Sequence, residues 1–164
     1  MIGRSFSPAV DAILGGWQVN GIWTLQAGPT LNISVNNNLG GFSQALRANW
    51  DGRDPVIDGD AEDRLGRWFD TSVFSQPAPF TFGNALERIP GLRAHRLNSV
   101  DFSVFKEIAP TSRLRVQVRI EAFNVLNGVQ FGSPQTSVNN ASFGQVTSQA
   151  NAPRQLQFGL KMLF

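Results

Sequence analysis

The chain has no cysteine, no tyrosine, a single histidine and few charges: 16% of its 164 residues are Asp, Glu, Lys or Arg. Absence of cysteine excludes disulfides and thiolate metal sites. One histidine, His95, excludes two-histidine metal motifs and leaves little room for a catalytic triad. Fourteen basic and twelve acidic residues leave a net charge of +2. The pI of 9.9 reflects how little titrates between neutrality and pH 10, not a basic surface. The basic residues are scattered, so no nucleic-acid footprint emerges. No eighteen-residue apolar run marks a transmembrane helix. Pro8 and Asp11 break any apolar core of an export signal.

The charges that exist are unevenly placed. None lies between Asp11 and Arg47, or between Glu121 and Arg154. Those stretches are rich in Asn, Gln, Ser, Thr and Gly, alternating with apolar residues, which is a β pattern. Only residues 7–14 have helical signals: Ser7 as cap, Pro8 in the first turn, Gly15-Gly16 as terminator. Residues 1–15 are therefore expected to be a loop with a short helix, entering a β region over 16–164.

Five strands are expected, at 16–27, 30–36, 98–108, 113–126 and 154–164. Odd positions of the first are apolar, with Ile22 the exception. Leu31, Ile33 and Val35 share a face of the second, and Val100, Phe102 and Val104 one of the third. In the fourth, Leu114, Val116, Val118, Ile120 and Ala122 oppose Arg113, Arg115, Gln117, Arg119 and Glu121. In the last, Leu156, Phe158, Leu160, Met162 and Phe164 alternate with polar residues. Gly28-Pro29 and residues 109–112 make short turns; residues 37–97 and 127–153 make long loops. Short and long connections alternate. An up-and-down sheet then has its short turns at one end and its long loops at the other, as in transmembrane barrels. The strands are also long, and a barrel strand needs about nine to eleven residues. Leu156 to Phe164 spans about 26 Å, or roughly 20 Å of depth at a tilt of about 40°. Trp17 and Trp23, about 15 Å apart in depth, cannot occupy both aromatic girdles. A soluble antiparallel sandwich shares the alternation but leaves the loop asymmetry unexplained.

Particular segments resemble the carboxy-terminal part of TonB-dependent outer-membrane receptors of the Oar-like kind. They are Gly15-Gly16-Trp17-Gln18-Val19-Asn20-Gly21-Ile22 with Gln26-Ala27-Gly28-Pro29, and Trp68-Phe69-Asp70-Thr71-Ser72-Val73-Phe74-Ser75. Phe82-Gly83-Asn84, the segment 98–106, Arg119-Ile120-Glu121-Ala122-Phe123-Asn124-Val125-Leu126-Asn127, Gln130-Phe131-Gly132, Phe143-Gly144-Gln145-Val146 and the terminal 157–164 continue the series. Residues 87–97 depart from it, where an Arg-Gly-Pro-Gly-like turn is expected. The resemblance implies an all-β fold: an antiparallel up-and-down meander forming part of a 22-stranded barrel in the cell outer membrane. It implies as partners outer-membrane lipid, the barrel assembly machinery, and a plug domain with TonB acting through an amino-terminal part that this sequence lacks. Five strands cannot close a barrel, so the chain is expected to be a piece of a longer protein.

Several residues are candidates for function. Asp101, Glu107, Arg113, Arg115, Arg119 and Glu121 are expected to face the lumen, where charge is tolerated, in contact with plug or substrate or simply as a solvated charged face. Lys106 and Lys161 are expected to snorkel or to face the lumen. Phe158, Leu160, Met162 and Phe164 resemble the signal read by the barrel assembly machinery. Trp50 and Trp68, with Phe69, Phe74, Phe80 and Phe82, offer ligand contact in the long loop or the loop's own small core. The acidic run 51–63 fails the EF-hand pattern, having Asp63 in place of Gly and Phe69 in place of Glu. Arg53, Arg64 and Arg67 nearby are expected to pair locally. No phosphate loop, nucleophile elbow or paired-carboxylate motif is present, so no enzyme and no cofactor is expected. Alternatives are a non-transport, adhesin-like barrel and a soluble sandwich that binds carbohydrate through loop aromatics.

Overall fold

The computed structural model describes residues 10, 13–37, 39, 46–111 and 113–164. The strands in chain order are β1 (Trp17–Gln26), β2 (Ser34–Val35), β3 (Leu46–Arg47), β4 (Asn49–Trp50), β5 (Phe74–Ser75), β6 (Leu97–Ile108), β7 (Arg115–Phe123) and β8 (Gln155–Leu163). Two 3₁₀ turns, Glu62–Arg64 and Thr71–Val73, accompany them. Of the helix expected over 7–14, only Val10, Ile13 and Leu14 are described, and these are helical; the remainder lies outside the described residues, as does Ser112 of the expected turn.

The chain divides into two compact units. The first comprises Met1–Leu25, Asn98–Gly128 and Ala152–Phe164; the second comprises Gln26–Leu97 and Val129–Asn151.

The first unit is a four-stranded sheet in the order β1-β6-β7-β8, with β6–β7 and β7–β8 antiparallel. Register is set by the alternation. Val104, Ile120 and Phe158 line up across three strands, as do Phe102, Ala122 and Leu156. A one-residue slip would interleave charges with this apolar row. β1 runs antiparallel to β6: Glu107 N donates to Gly16 O at 2.8 Å near one end, and the Trp23 indole donates to Asn98 Oδ1 at 2.9 Å near the other. Gly16 lies in the left-handed region, at φ +69°, and a Cβ there would meet Glu107 O at 2.3 Å. Only glycine permits this approach.

The second unit holds the buried core, around Ile33, Trp68, Phe69, Phe74, Ile89 and Leu92. Here the structure corrects the expected second strand. Residues 30–36 do not return along β1. Leu31 N donates to Leu92 O at 3.0 Å, Ala94 N to Pro29 O at 2.9 Å, and Ser34–Val35 pairs with β3. Leu31, Ile33 and Val35 are all buried. Seven residues are too few to cross a bilayer, and their apolar side finds a core here instead. Gly28 makes the departure possible: a Cβ would stand 1.8 Å from Ala94 O.

This moves the start of the first long connection from residue 37 to residue 27 and reverses the direction expected for β1. Long and short connections still alternate. Both long ones join the same ends of the strands, and the one short turn, 109–114, joins the other.

Candidate functional site

The two faces of the sheet differ in chemistry. One carries Phe102, Val104 and Ile108 of β6, Val116, Val118, Ile120 and Ala122 of β7, and Leu156, Phe158, Leu160 and Met162 of β8. β1 adds Trp17 and Trp23, whose rings meet Lys106 and Asn98 of β6 on that side. The face is exposed: Trp23 is 70% and Phe158 72% accessible, and every residue of β1 is exposed. A continuous apolar surface of this extent is foreign to a water-soluble monomer and matches the lipid-facing band of a barrel. Lys106 is the one charge in this register. Its ammonium donates to Ile13 O at 3.2 Å and to Gly15 O, and lies 4.9 Å from the Trp17 ring, at the short-turn end. Lys161 is on the opposite face, across from Gln117.

That opposite face gathers most of the charged candidates. Arg119 stands between Phe105 and Gly159 in register. Its guanidinium lies 4.5 Å from the Phe105 ring, and Nη2 donates to Glu121 Oε1 at 3.5 Å. Gly159 leaves room beside it, a Cβ there lying 3.5 Å from Arg119 Cβ. Arg115 and Glu107 approach to 3.9 Å. Such exposed pairs contribute about 0–1 kcal/mol each. The expected strand start at Arg113 is corrected: β7 begins at Arg115, and Arg113 is exposed in the preceding turn, where Thr111 Oγ1 accepts from Leu114 N at 3.1 Å.

Asp101 has a different task. Its Oδ1 accepts from Asn124 N at 2.9 Å. Asn124 ends β7, three residues before the expected limit, by entering the left-handed region at φ 49°. Buried, it donates from Nδ2 to Gly128 O and Ala152 O, and its Oδ1 accepts from Gly128 N. Asn127, at φ 53°, accepts from Arg154 N. The Phe123-Asn124-Val125-Leu126-Asn127 segment thus clamps the two ends of the second connection together.

In β8, Phe158, Leu160 and Met162 project from the apolar face, and Phe164 follows it, 96% exposed.

The loop unit explains the other recurring motifs. Trp68 is 4% exposed, and its indole donates to Arg93 O at 2.7 Å beneath the Arg64 guanidinium, 4.7 Å from the ring. Trp68 therefore belongs to the loop's own core and offers no open stacking face, while it also lines the cavity described below. Trp50 is half-buried, with its indole donating to Arg53 O. Phe69 packs edge-to-face with Phe74 and Phe143 at 6.0 and 5.4 Å. Asp70 caps the Thr71–Val73 turn, accepting from Ser72 N and Oγ. The Ser72 hydroxyl and amide, with Arg67 beside them, hold its carboxyl below the ordinary carboxylate range. Among the described loop aromatics only Phe80 and Phe82 stand out into solvent.

A cavity of about 460 Å³ opens in this unit. Arg64, Arg93, Arg96 and His95 line it together with the exposed Asp58 and Asp60. Arg53 and Arg67 pair with Asp51 and Asp70, as expected of local pairing, but Arg64 does not; its Nη1 donates to Ile57 O at 2.8 Å. Arg93 Nη1 donates to Gly28 O at 2.9 Å. His95 Nδ1 accepts from Phe131 N at 3.3 Å, and burial, then Arg96 and Arg64, push its pKa down. The sequence hides this site because Arg64 lies far along the chain from Arg93 and Arg96, with no motif joining them. Among the described residues no cluster of metal-ligating side chains occurs.

A family model described as an outer membrane beta barrel domain matches residues 1–157. No curated protein and no solved structure matches the chain. Among the described residues no helix is long and apolar enough to cross a membrane, whereas the long strands carry one apolar, exposed face. The chain accordingly belongs to the outer membrane β-barrel domain family, and its place is the outer membrane.

Proposed function

We propose that the chain forms part of the barrel of a TonB-dependent, Oar-like receptor that takes up a ligand. It supplies barrel wall, lumen lining and surface loops, without catalysis. The observation that carries this reading is the two-faced sheet whose long connections all leave from one end. Long connections at one end are the surface loops of outer-membrane barrels. The charged face, with Arg115, Arg119, Glu107 and Glu121, then lines the lumen toward a plug. The apolar face meets lipid, and the terminal Phe158, Leu160, Met162 and Phe164 present the assembly signal.

The test is the DNA upstream of the Met1 codon. A frame continuing into further strands, a plug and an export signal is the expected result. Further strands without a plug would replace the receptor with an adhesin-like barrel. A stop and a ribosome site immediately before Met1 would remove the transport reading.

A further inference from the structure

We propose that the cavity walled by Arg64, Arg93 and Arg96 binds a small hydroxylated oxyanion, such as a sugar acid or a sugar phosphate. The site stands on the loop unit alone and does not depend on the transport reading. Three guanidiniums line one cavity, and among the described residues none forms an ion pair, although elsewhere Arg53, Arg67, Arg115 and Arg119 each find a carboxylate. A guanidinium carries five donors in a planar fork suited to carboxylate and phosphate. Arg64 and Arg93 each commit one nitrogen to a backbone carbonyl, which fixes the group and leaves other donors. Arg64 is held further by the Trp68 ring. Fixing the side chains beforehand lowers the entropy cost of capturing a ligand.

Asp58 and Asp60 narrow the choice of ligand. They are exposed, line the same cavity and, among the described residues, form no ion pair. Carboxylates there repel a polyanion and accept hydrogen bonds from hydroxyls. One oxyanion with several hydroxyl groups satisfies both signs of charge. The volume falls within the about 300–1,000 Å³ of small-molecule pockets. Stacking of a sugar ring on Trp68 is not available, because Arg64 covers the ring and His95 meets it edge-on at 6.1 Å.

His95 is the only histidine in the chain and lines this cavity, so its ring signals report on occupancy. An anion beside Arg64 and Arg96 offsets the positive field that helps depress its pKa. The experiment is a pH titration of the His95 ring by NMR on the full chain in detergent micelles. Potassium glucuronate, potassium phosphate and potassium chloride are compared at equal ionic strength. Glucuronate or phosphate should raise the pKa saturably, by about one unit, and chloride should not. The stronger of the two identifies the source as a carboxylate or a phosphate. Arg96→Gln, an exposed substitution that keeps the loop core intact, should weaken the response at least tenfold. Equal shifts in all three salts, or an unchanged response in R96Q, would overturn the proposal.

Discussion

Asp101, a residue of the expected lumen row, spends its Oδ1 on the backbone N–H of Asn124, 2.9 Å away and twenty-three residues later. A carboxylate placed by alternation on the charged face therefore closes the corner where β7 ends. Asn124 completes that corner with three further hydrogen bonds to Gly128 and Ala152. Asn124→Ala should cost about 2–4 kcal/mol, from lost buried hydrogen bonds and an unfavourable left-handed backbone. Asn124→Gly should recover the backbone part alone, and Asp101→Ala should cost about 1–2 kcal/mol. Urea titration of the membrane-assembled protein reads all three. Equal stability of the wild type and Asn124→Ala would remove this corner from the account.

The two faces of β7 predict opposite responses to one substitution. Ile120 lies in register with Val104 and Phe158 on the apolar side, and Gln117 with Glu107 and Lys161 on the other. Ile120→Arg should lose about 2–4 kcal/mol, as for a cation facing the bilayer midplane. Gln117→Arg should change stability by less than about 0.5 kcal/mol. The same urea titration compares them, and matching losses would argue against a lipid face on that side.

Phe69 is fully buried between Phe74 and Phe143. Truncation to Ala should cost about 3–5 kcal/mol through the cavity it leaves. Hydrogen exchange should then quicken within Gln26–Leu97 and Val129–Asn151 while β6, β7 and β8 keep their protection. Uniform loss across both units would show that they unfold together.

His95 makes the loop unit sensitive to acid. Its folded pKa lies below its ordinary value of 6.5, so the folded state favours the neutral ring. The unfolded chain binds the proton more readily, and stability falls with pH. The contribution is complete above about pH 6.5 and is lost as pH drops through the folded value. Protonation also removes the Nδ1 lone pair that accepts from Phe131 N. The Phe131 amide should exchange faster at pH 5 than its intrinsic rate change explains. His95→Gln should abolish that excess; its persistence would place the sensitivity elsewhere.

The sequence alone determined the β class, three of the crossing strands and their faces. Alternation over β6, β7 and β8 is long enough that only one register keeps Val104, Ile120 and Phe158 together. The same reasoning located β1 but not its direction. Period-two alternation does not say what a strand pairs with, and residues 30–36 alternate as well as any barrel strand. Their partners are Leu92, which accepts from Leu31 N, and β3, while Ala94 N donates to Pro29 O just before them. Tertiary structure alone decided that Trp68 is core, that Asp101 serves a corner, and that Arg64, Arg93 and Arg96 share a cavity. The physical reason is the same in each case. Local pattern records which side of an element is apolar, whereas burial and charge pairing depend on which distant backbone closes over it.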